Sequence, residues 1–149
     1  MIRTARLADL EQCLTLLIDF ATASVYDYSE WQQEDLDHAR SVLINLMRNE
    51  YLKVIDIDGD IVGMIGAARE QDPWIRRRTR IRELFWWVKP EYRNTRWSLA
   101  LFIQWQEDAD HWIAKGLVDQ VSLSLQPTAN SIRLNKRGWQ CVEQHWVKG

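Results

Sequence analysis

The polarity pattern changes period several times along the chain, and each change marks an element. Residues 2–6 alternate briefly between apolar and polar side chains, as a short strand does. Leu7, Leu10, Leu14, Leu17, Ile18 and Ala21 then recur at helical spacing and predict an amphipathic first helix. From 22 to 36 the regularity lapses. Tyr26, Tyr28 and Trp31 stand there among Asp27, Glu30, Glu34 and Asp35, which reads as a mobile acidic and aromatic connection. Ala39, Val42, Leu43, Leu46 and Met47 form one face of a second helix, with Asp37 near its start, where a carboxylate favours the helix dipole.

The period then shortens. Residues 51–57 and 61–68 are β-rich runs joined at Asp58-Gly59, a dipeptide suited to a tight hairpin. Residues 71–80 read as a loop holding Pro73, Trp74, Arg76, Arg77, Arg78 and Arg80. Residues 81–88 form the next strand, ended by Lys89-Pro90 because proline cannot donate to a ladder. A third helix is expected from about Trp97 to Lys115, with Leu101, Trp105, Ala109, Trp112 and Ile113 on one stripe and Gly116 as its stop. Residues 118–125 alternate as a strand, a short fourth helix follows and stops at Gly138, and Trp139 to Val147 closes as an extended segment. The order β-α-α-β-β-β-α-β-α-β predicts a single α/β domain over residues 1–149. Its central sheet is mixed but mostly antiparallel, and about four helices flank it.

Composition narrows the class. The 149 residues are 46% hydrophobic and 27% charged, which is enough for one globular core and far from a disordered chain. No apolar run approaches the roughly 18 residues of a membrane span, and the first residues lack the order of a signal peptide, so a cytoplasmic protein is expected. Cys13 and Cys141 are the two cysteines, outside any metal-like spacing, and both read as buried, inert thiols. His38, His111 and His145 share no ligand spacing, so no metal site is expected. Nine tryptophans direct attention to aromatic pockets, and those that are exposed could mark a homodimer interface. Trp86 and Trp87 point to opposite sheet faces, so at least one belongs to the core, and Trp105 and Trp112 read as packing residues.

The net charge of −2 hides an asymmetry. Ten acidic residues between Asp19 and Asp60 face only Arg40, Arg48 and Lys53, whereas Arg69 to Arg96 holds eight arginines and Lys89 against four acids. Segments of opposite sign could steer a cationic and an anionic ligand, or could simply be solvated faces. The near-neutral total argues against bulk nucleic-acid binding.

The most informative stretch runs from Leu84 to Ser98, where a strand breaks and feeds directly into a helix. Such a junction leaves backbone N–H groups aimed into one small space with the helix dipole behind them, an anion site suited to a pyrophosphate. Arg93 and Arg96 would add charge-assisted bonds, unless both are simply solvated.

With these segments in place, the chain resembles the GNAT N-acetyltransferase superfamily, in particular the small phage and prophage types. The residues that carry the resemblance are Ile2-Arg3-x-Ala5 with Asp9-Leu10, the Asp58-Gly59 hairpin before Ile61-Val62-Gly63, Val88-Lys-Pro-Glu-Tyr-Arg93, and Lys136-Arg137-Gly138-Trp139 with the following Val142-Glu-Gln-His-Trp. The resemblance implies a GNAT fold and acetyl-CoA as cosubstrate. It places that cosubstrate against Trp87, Val88, Arg93, Asn94, Thr95, Arg96, Trp97 and Ser98. At the phosphate loop Arg96 and Ser98 stand where the family pattern has small residues that let the backbone approach the cofactor.

The implied reaction is attack by an amine on a thioester carbonyl. An amine of pKa about 10.4 costs roughly 4–5 kcal/mol to present as free base at neutral pH, so a carboxylate would help. Glu83 lies where the family commonly carries such a glutamate; its other reading is a salt bridge to Arg82 or Arg80. The backbone N–H near Val88 would polarise the carbonyl. Tyr26, Tyr28 and Trp31, with Asp27 and Glu30, fall on the family's acceptor side and suit a cationic amine, or else form a packed loop. The family's fourth-helix tyrosine, which protonates the leaving thiolate, is replaced by Leu134 or Asn135; such acid catalysis is worth about 10²–10⁴-fold. Tyr26, Tyr28 or a water could substitute.

Three functions follow. The first is an N-acetyltransferase acting on a small polyamine-like molecule, a peptide amino terminus or a protein lysine by direct ternary-complex transfer. The second is a catalytically weak or inactive GNAT scaffold that binds a protein, for a phage factor a host protein in the host cytoplasm. The third is a nucleic-acid-associated protein using the arginine loop, which would need strong salt-dependent binding that the net charge does not predict. The Arg76–Arg80 cluster could itself meet an acidic partner, contact cofactor phosphates or only solvate its loop.

Overall fold

The computed structural model describes residues 1–24, 30–125 and 133–149. Five strands form one sheet in the order β1 (Ile2–Thr4), β2 (Tyr51–Ile57), β3 (Asp60–Gln71), β4 (Thr79–Val88) and β5 (Gln120–Ser122). The first three junctions are antiparallel; β4 and β5 run parallel, as a helical crossover requires. Helices α1 (Leu10–Ala23) and α2 (Gln33–Asn49) cover one face of the sheet and α3 (Arg96–Ala114) covers the other.

The anticipated stripes hold most of the buried helical residues, but Leu7 and Ile113 are exposed, whereas Leu16 and Phe102, outside those stripes, are fully buried. Leu14, Leu16, Leu43 and Leu46 pack with Leu52, Val54, Met64 and Phe85, while Leu101, Phe102 and Trp105 pack with Ile55, Val62, Ile65 and Val88. The β2–β3 turn uses Asp58 at φ 53 and Gly59 at φ 96, the paired left-handed geometry that favours Asp-Gly. Helix α2 begins at Gln33, ahead of the expected start, because the Asp35 carboxylate accepts the Gln32 N–H at 2.8 Å and closes a cap on a run that reads as connection.

A bulge decides what β4 presents. Ala67 pairs with Glu83 and Gly66 with Phe85, so Leu84 is an extra residue on β4. The bulge turns Phe85 and Trp87 toward α1, where they meet Phe20, and leaves Trp86 and Val88 facing α3. Gly66 permits this, since a Cβ there would lie 2.3 Å from the Phe85 ring.

The C-terminal part differs from expectation. Among the described residues the place of the fourth helix holds only a 3-10 turn at Leu134–Arg137, with Gly138 at φ 82 as its stop; residues 126–132 lie outside the description. Among the described residues the segment 139–147 joins no ladder. Its apolar members Val142, Trp146 and Val147 are exposed, so alternation there finds no sheet face to cover. Cys141 is accordingly exposed rather than buried, whereas Cys13 is fully buried and its thiol is pushed up to about 12 by that burial.

One ion network fastens the N-terminus to this frame. Arg3 donates to both Asp9 oxygens at 2.7 and 2.9 Å and to Asp56 at 2.7 Å, joining β1, the turn before α1 and the β2–β3 hairpin. Arg3→Ala strands the shielded Asp9 carboxylate, so urea denaturation at neutral pH is expected to show a loss of about 3 kcal/mol. Arg3 holds the Asp9 and Asp56 carboxyls below the usual range. Their support is therefore present above their unfolded pKa values and fades as pH falls through the depressed ones, so the deficit of the variant should shrink in acid.

Candidate functional site

Past the pair Arg82–Ser122 the edge of β4 that faces β5 has no ladder partner among the described residues. Lys89 donates its N–H to Val62 on β3 at 2.9 Å. Neighbouring residues of a strand point their backbone groups to opposite edges, so Val88 presents its N–H and carbonyl on the unpaired side. The Val88 carbonyl is taken by Arg93, whose Nε donates to it at 2.9 Å while the guanidinium lies 4.2 Å from the Trp87 ring centre. Arg93 thus braces the end of the strand, a contact that the sequence does not disclose.

The chain then turns into α3 through Asn94, at φ 58, and Thr95. The Thr95 hydroxyl donates to the Tyr92 carbonyl at 2.6 Å and accepts the Trp97 N–H at 3.2 Å, a side-chain cap on the helix start. By helix geometry the other first-turn N–H groups, those of Arg96 and Ser98, have no acceptor within the helix. Beside them lies a cavity of about 430 Å³ lined by Trp86, Asn94, Thr95, Arg96, Ser98 and Leu99. Arg96 and Ser98 do not close it. The Arg96 guanidinium rests 4.8 Å from the Trp97 ring centre, and the Ser98 hydroxyl donates back to Thr95 at 3.1 Å.

Glu83 sits five residues before Val88, about 15 Å along the strand. It is 7% exposed and accepts the Ser124 N–H at 3.0 Å, bridging the point where β4 and β5 part. Neither neighbouring arginine pairs with it. Arg82 donates to Glu70 at 3.3 Å, and Arg80 Nε lies 2.8 Å from the other Glu70 oxygen, an ion pair not aligned as a hydrogen bond. Burial pushes the Glu83 carboxyl up to about 7, against weaker lowering by the Ser124 N–H and the Arg82 charge. A carboxylate poised near neutrality is what proton abstraction from an ammonium needs.

The expected site residues therefore divide. Asn94, Thr95, Arg96 and Ser98 share one cavity; Trp87, Val88 and Arg93 brace it from behind; Trp97 carries the Arg96 side chain; Glu83 stands apart at the parting of the strands. Trp31 packs against the α1–α2 core, its indole N–H buried and without a partner among the described residues. Tyr26 and Tyr28 lie outside the described residues. Trp86, which stacks on Phe102 at 5.7 Å and lines the cavity, and Ser124, which donates to Glu83, escaped the sequence reading. Alternation signalled that Trp86 and Trp87 differ in face, but not which one meets the loop.

The sequence profile of the acetyltransferase (GNAT) family matches residues 10–137. No curated protein sequence matches the chain. Among solved structures, a transcriptional regulator from Bacillus halodurans C-125 superposes with a TM-score of 0.72 at 15% identity, over 100% of this chain and 98% of that one. Glucosamine-6-phosphate N-acetyltransferase from Arabidopsis thaliana gives 0.68 at 17%, covering 100% and 97%. A predicted acetyltransferase from Clostridium acetobutylicum, solved with acetyl-CoA, gives 0.69 at 13%, covering 99% and 94%. These likenesses establish the fold.

Because the Glu83 pKa is raised on folding, its burial weighs on stability only above its unfolded value, and the cost is complete once pH exceeds about 7. Glu83→Gln should therefore be more stable than the parent protein by up to about 3 kcal/mol near pH 8, with the difference vanishing below about pH 4. Chemical denaturation across that range measures it.

Proposed function

The chain belongs to the acetyltransferase (GNAT) family, and on that premise we propose that it moves an acetyl group from acetyl-CoA directly to an amine within one ternary complex. The observation that carries this reading is the junction of β4 and α3, where an outward Val88 N–H, an open first helical turn and a cavity adjoin. Asn94, Thr95, Arg96 and Ser98 would hold the pyrophosphate of the cosubstrate, whose thioester supplies the activated acetyl group. Its phosphopantetheine arm would follow the free edge of β4 past Val88 toward Glu83. The Val88 N–H donates to the carbonyl oxygen as charge develops there. Glu83, about 15 Å of strand from Val88, takes the proton from the ammonium through a chain of waters as the nitrogen bonds to the carbonyl carbon. The carbon–sulfur bond breaks and the thiolate leaves. The thiolate takes up a proton from water; Leu134, packed against the α3 side of the core, offers none. No covalent enzyme intermediate is required, and the two hydroxyls at the junction, Thr95 and Ser98, donate to backbone carbonyls rather than to a base.

Two measurements test this reading. Calorimetric titration with acetyl-CoA should show micromolar binding, weakened about tenfold or more by Arg93→Ala, which frees the strand end, and by Ser98→Leu, which fills the cavity; no binding by the parent protein contradicts the reading. With an acceptor in hand, kcat/KM should rise with pH through about 7, and Glu83→Gln should lose that limb along with about 10²-fold or more in rate.

A further inference from the structure

The tip of the β3–β4 hairpin, residues 72–78, lies at the opposite end of β4 from the cavity. The tip is built rather than loose. Asp72 accepts the N–H groups of Trp74 and Ile75 at 2.9 and 2.8 Å, and Asp72 N–H bonds to the Arg78 carbonyl at 3.0 Å. Arg78 N–H bonds to the Ile75 carbonyl at 2.9 Å, and the Gln71 amide donates to the carbonyls of Arg76 and Arg78.

This frame holds Trp74 out at 90% exposure and leaves Arg76, Arg77 and Arg78 exposed, with no ion pair among the described residues. The local acids are already engaged: Glu70 with Arg80 and Arg82, Asp72 with the two backbone N–H groups, Asp119 with the Thr79 N–H at 2.9 Å. Nothing in the core requires the tryptophan or the three cations.

We propose that this tip is a docking surface for an acidic segment of a polypeptide acceptor, whose amine is thereby carried to Glu83. The inference rests on the acetyl-transfer reading for the role of that amine. From Arg78 to Glu83 is about 17 Å of strand, too far for a small amine to touch both ends but about five residues of extended polypeptide. Three unpaired guanidinium groups complement carboxylates, and a rigid exposed tryptophan supplies the apolar anchor common in protein contacts. The same side chains could stack with and bind a nucleic-acid single strand. However, the excess positive charge is confined to the tip, because Arg69, Arg80 and Arg82 at its base stand among Glu50, Glu70 and Asp119. A nucleic acid also brings no basic alkyl amine to the carboxylate.

The test is fluorescence anisotropy without acetyl-CoA, so that its outcome is independent of whether acetyl-CoA binds. The probe is a labelled peptide with a lysine about five residues from a block of glutamates. A peptide with glutamines in place of the glutamates and a labelled oligothymidylate serve as comparisons. The parent protein should bind the acidic peptide best. The combined variant Arg76→Ala, Arg77→Ala and Arg78→Ala should bind it about tenfold more weakly, as should the parent protein in high salt. Trp74→Ala should weaken both peptides alike, and all variants should keep the parent melting temperature. Equal binding of the acidic and glutamine peptides, no effect of the arginine substitutions, or tighter binding of the oligothymidylate would each overturn the proposal.

Discussion

The site depends on an imbalance between the two edges of β4. One edge pairs with β3 from Thr79 to Val88, while the other pairs with β5 only at Arg80, Ile81 and Arg82. A fully paired β4 would have no outward amide at Val88 and no gap for Glu83 to bridge. Without Ser124 just past the end of β5, Glu83 would lose the backbone N–H that it accepts. The partial ladder yields both a buried carboxylate near neutrality and an open strand edge that leads to a helix start.

The elements around β4 act by fixing its position. The bulge at Leu84 separates the face of Glu83 from that of Phe85, so the carboxylate stays on the α3 side while the aromatic ring fills the α1 side. Arg93 holds the last carbonyl of the strand, and Thr95 caps the helix that follows. Farther away, Arg3 ties β1 and the β2–β3 hairpin to the start of α1 through shielded charges whose mutual attraction exceeds what water would offer. Tyr51 adds a second tie, donating to Asp108 on α3 at 2.7 Å.

Much of this was legible in the sequence, because helical and strand periods report burial directly. The Asp58-Gly59 turn and the strand-to-helix junction at 88–98 stand where the pattern put them, as do the helical stripes apart from the exposed Leu7 and Ile113. What was lost was non-local. The resemblance nominated Glu83, but its freedom from Arg80 and Arg82 depends on Glu70 from the facing strand, and only the β3–β4 register shows that. The terminal residues 139–147 alternate like a strand, yet alternation cannot supply a partner, and Cys141 is exposed as a consequence. Polar residues at the start of α2 masked the cap made by Asp35. Which tryptophan faces the cavity was set by a single extra residue, Leu84, that no periodicity marks.

In the proposed function the unpaired edge of β4 and the first turn of α3 form one continuous surface for acetyl-CoA. Amide-resolved NMR during titration with acetyl-CoA tests it most directly. The N–H signals of Val88, Arg96 and Ser98 should shift together along one saturating curve, with smaller changes at Glu83 and Ser124. Saturable shifts confined to other parts of the sheet, or shifts at the helix start with Val88 unmoved, would contradict it.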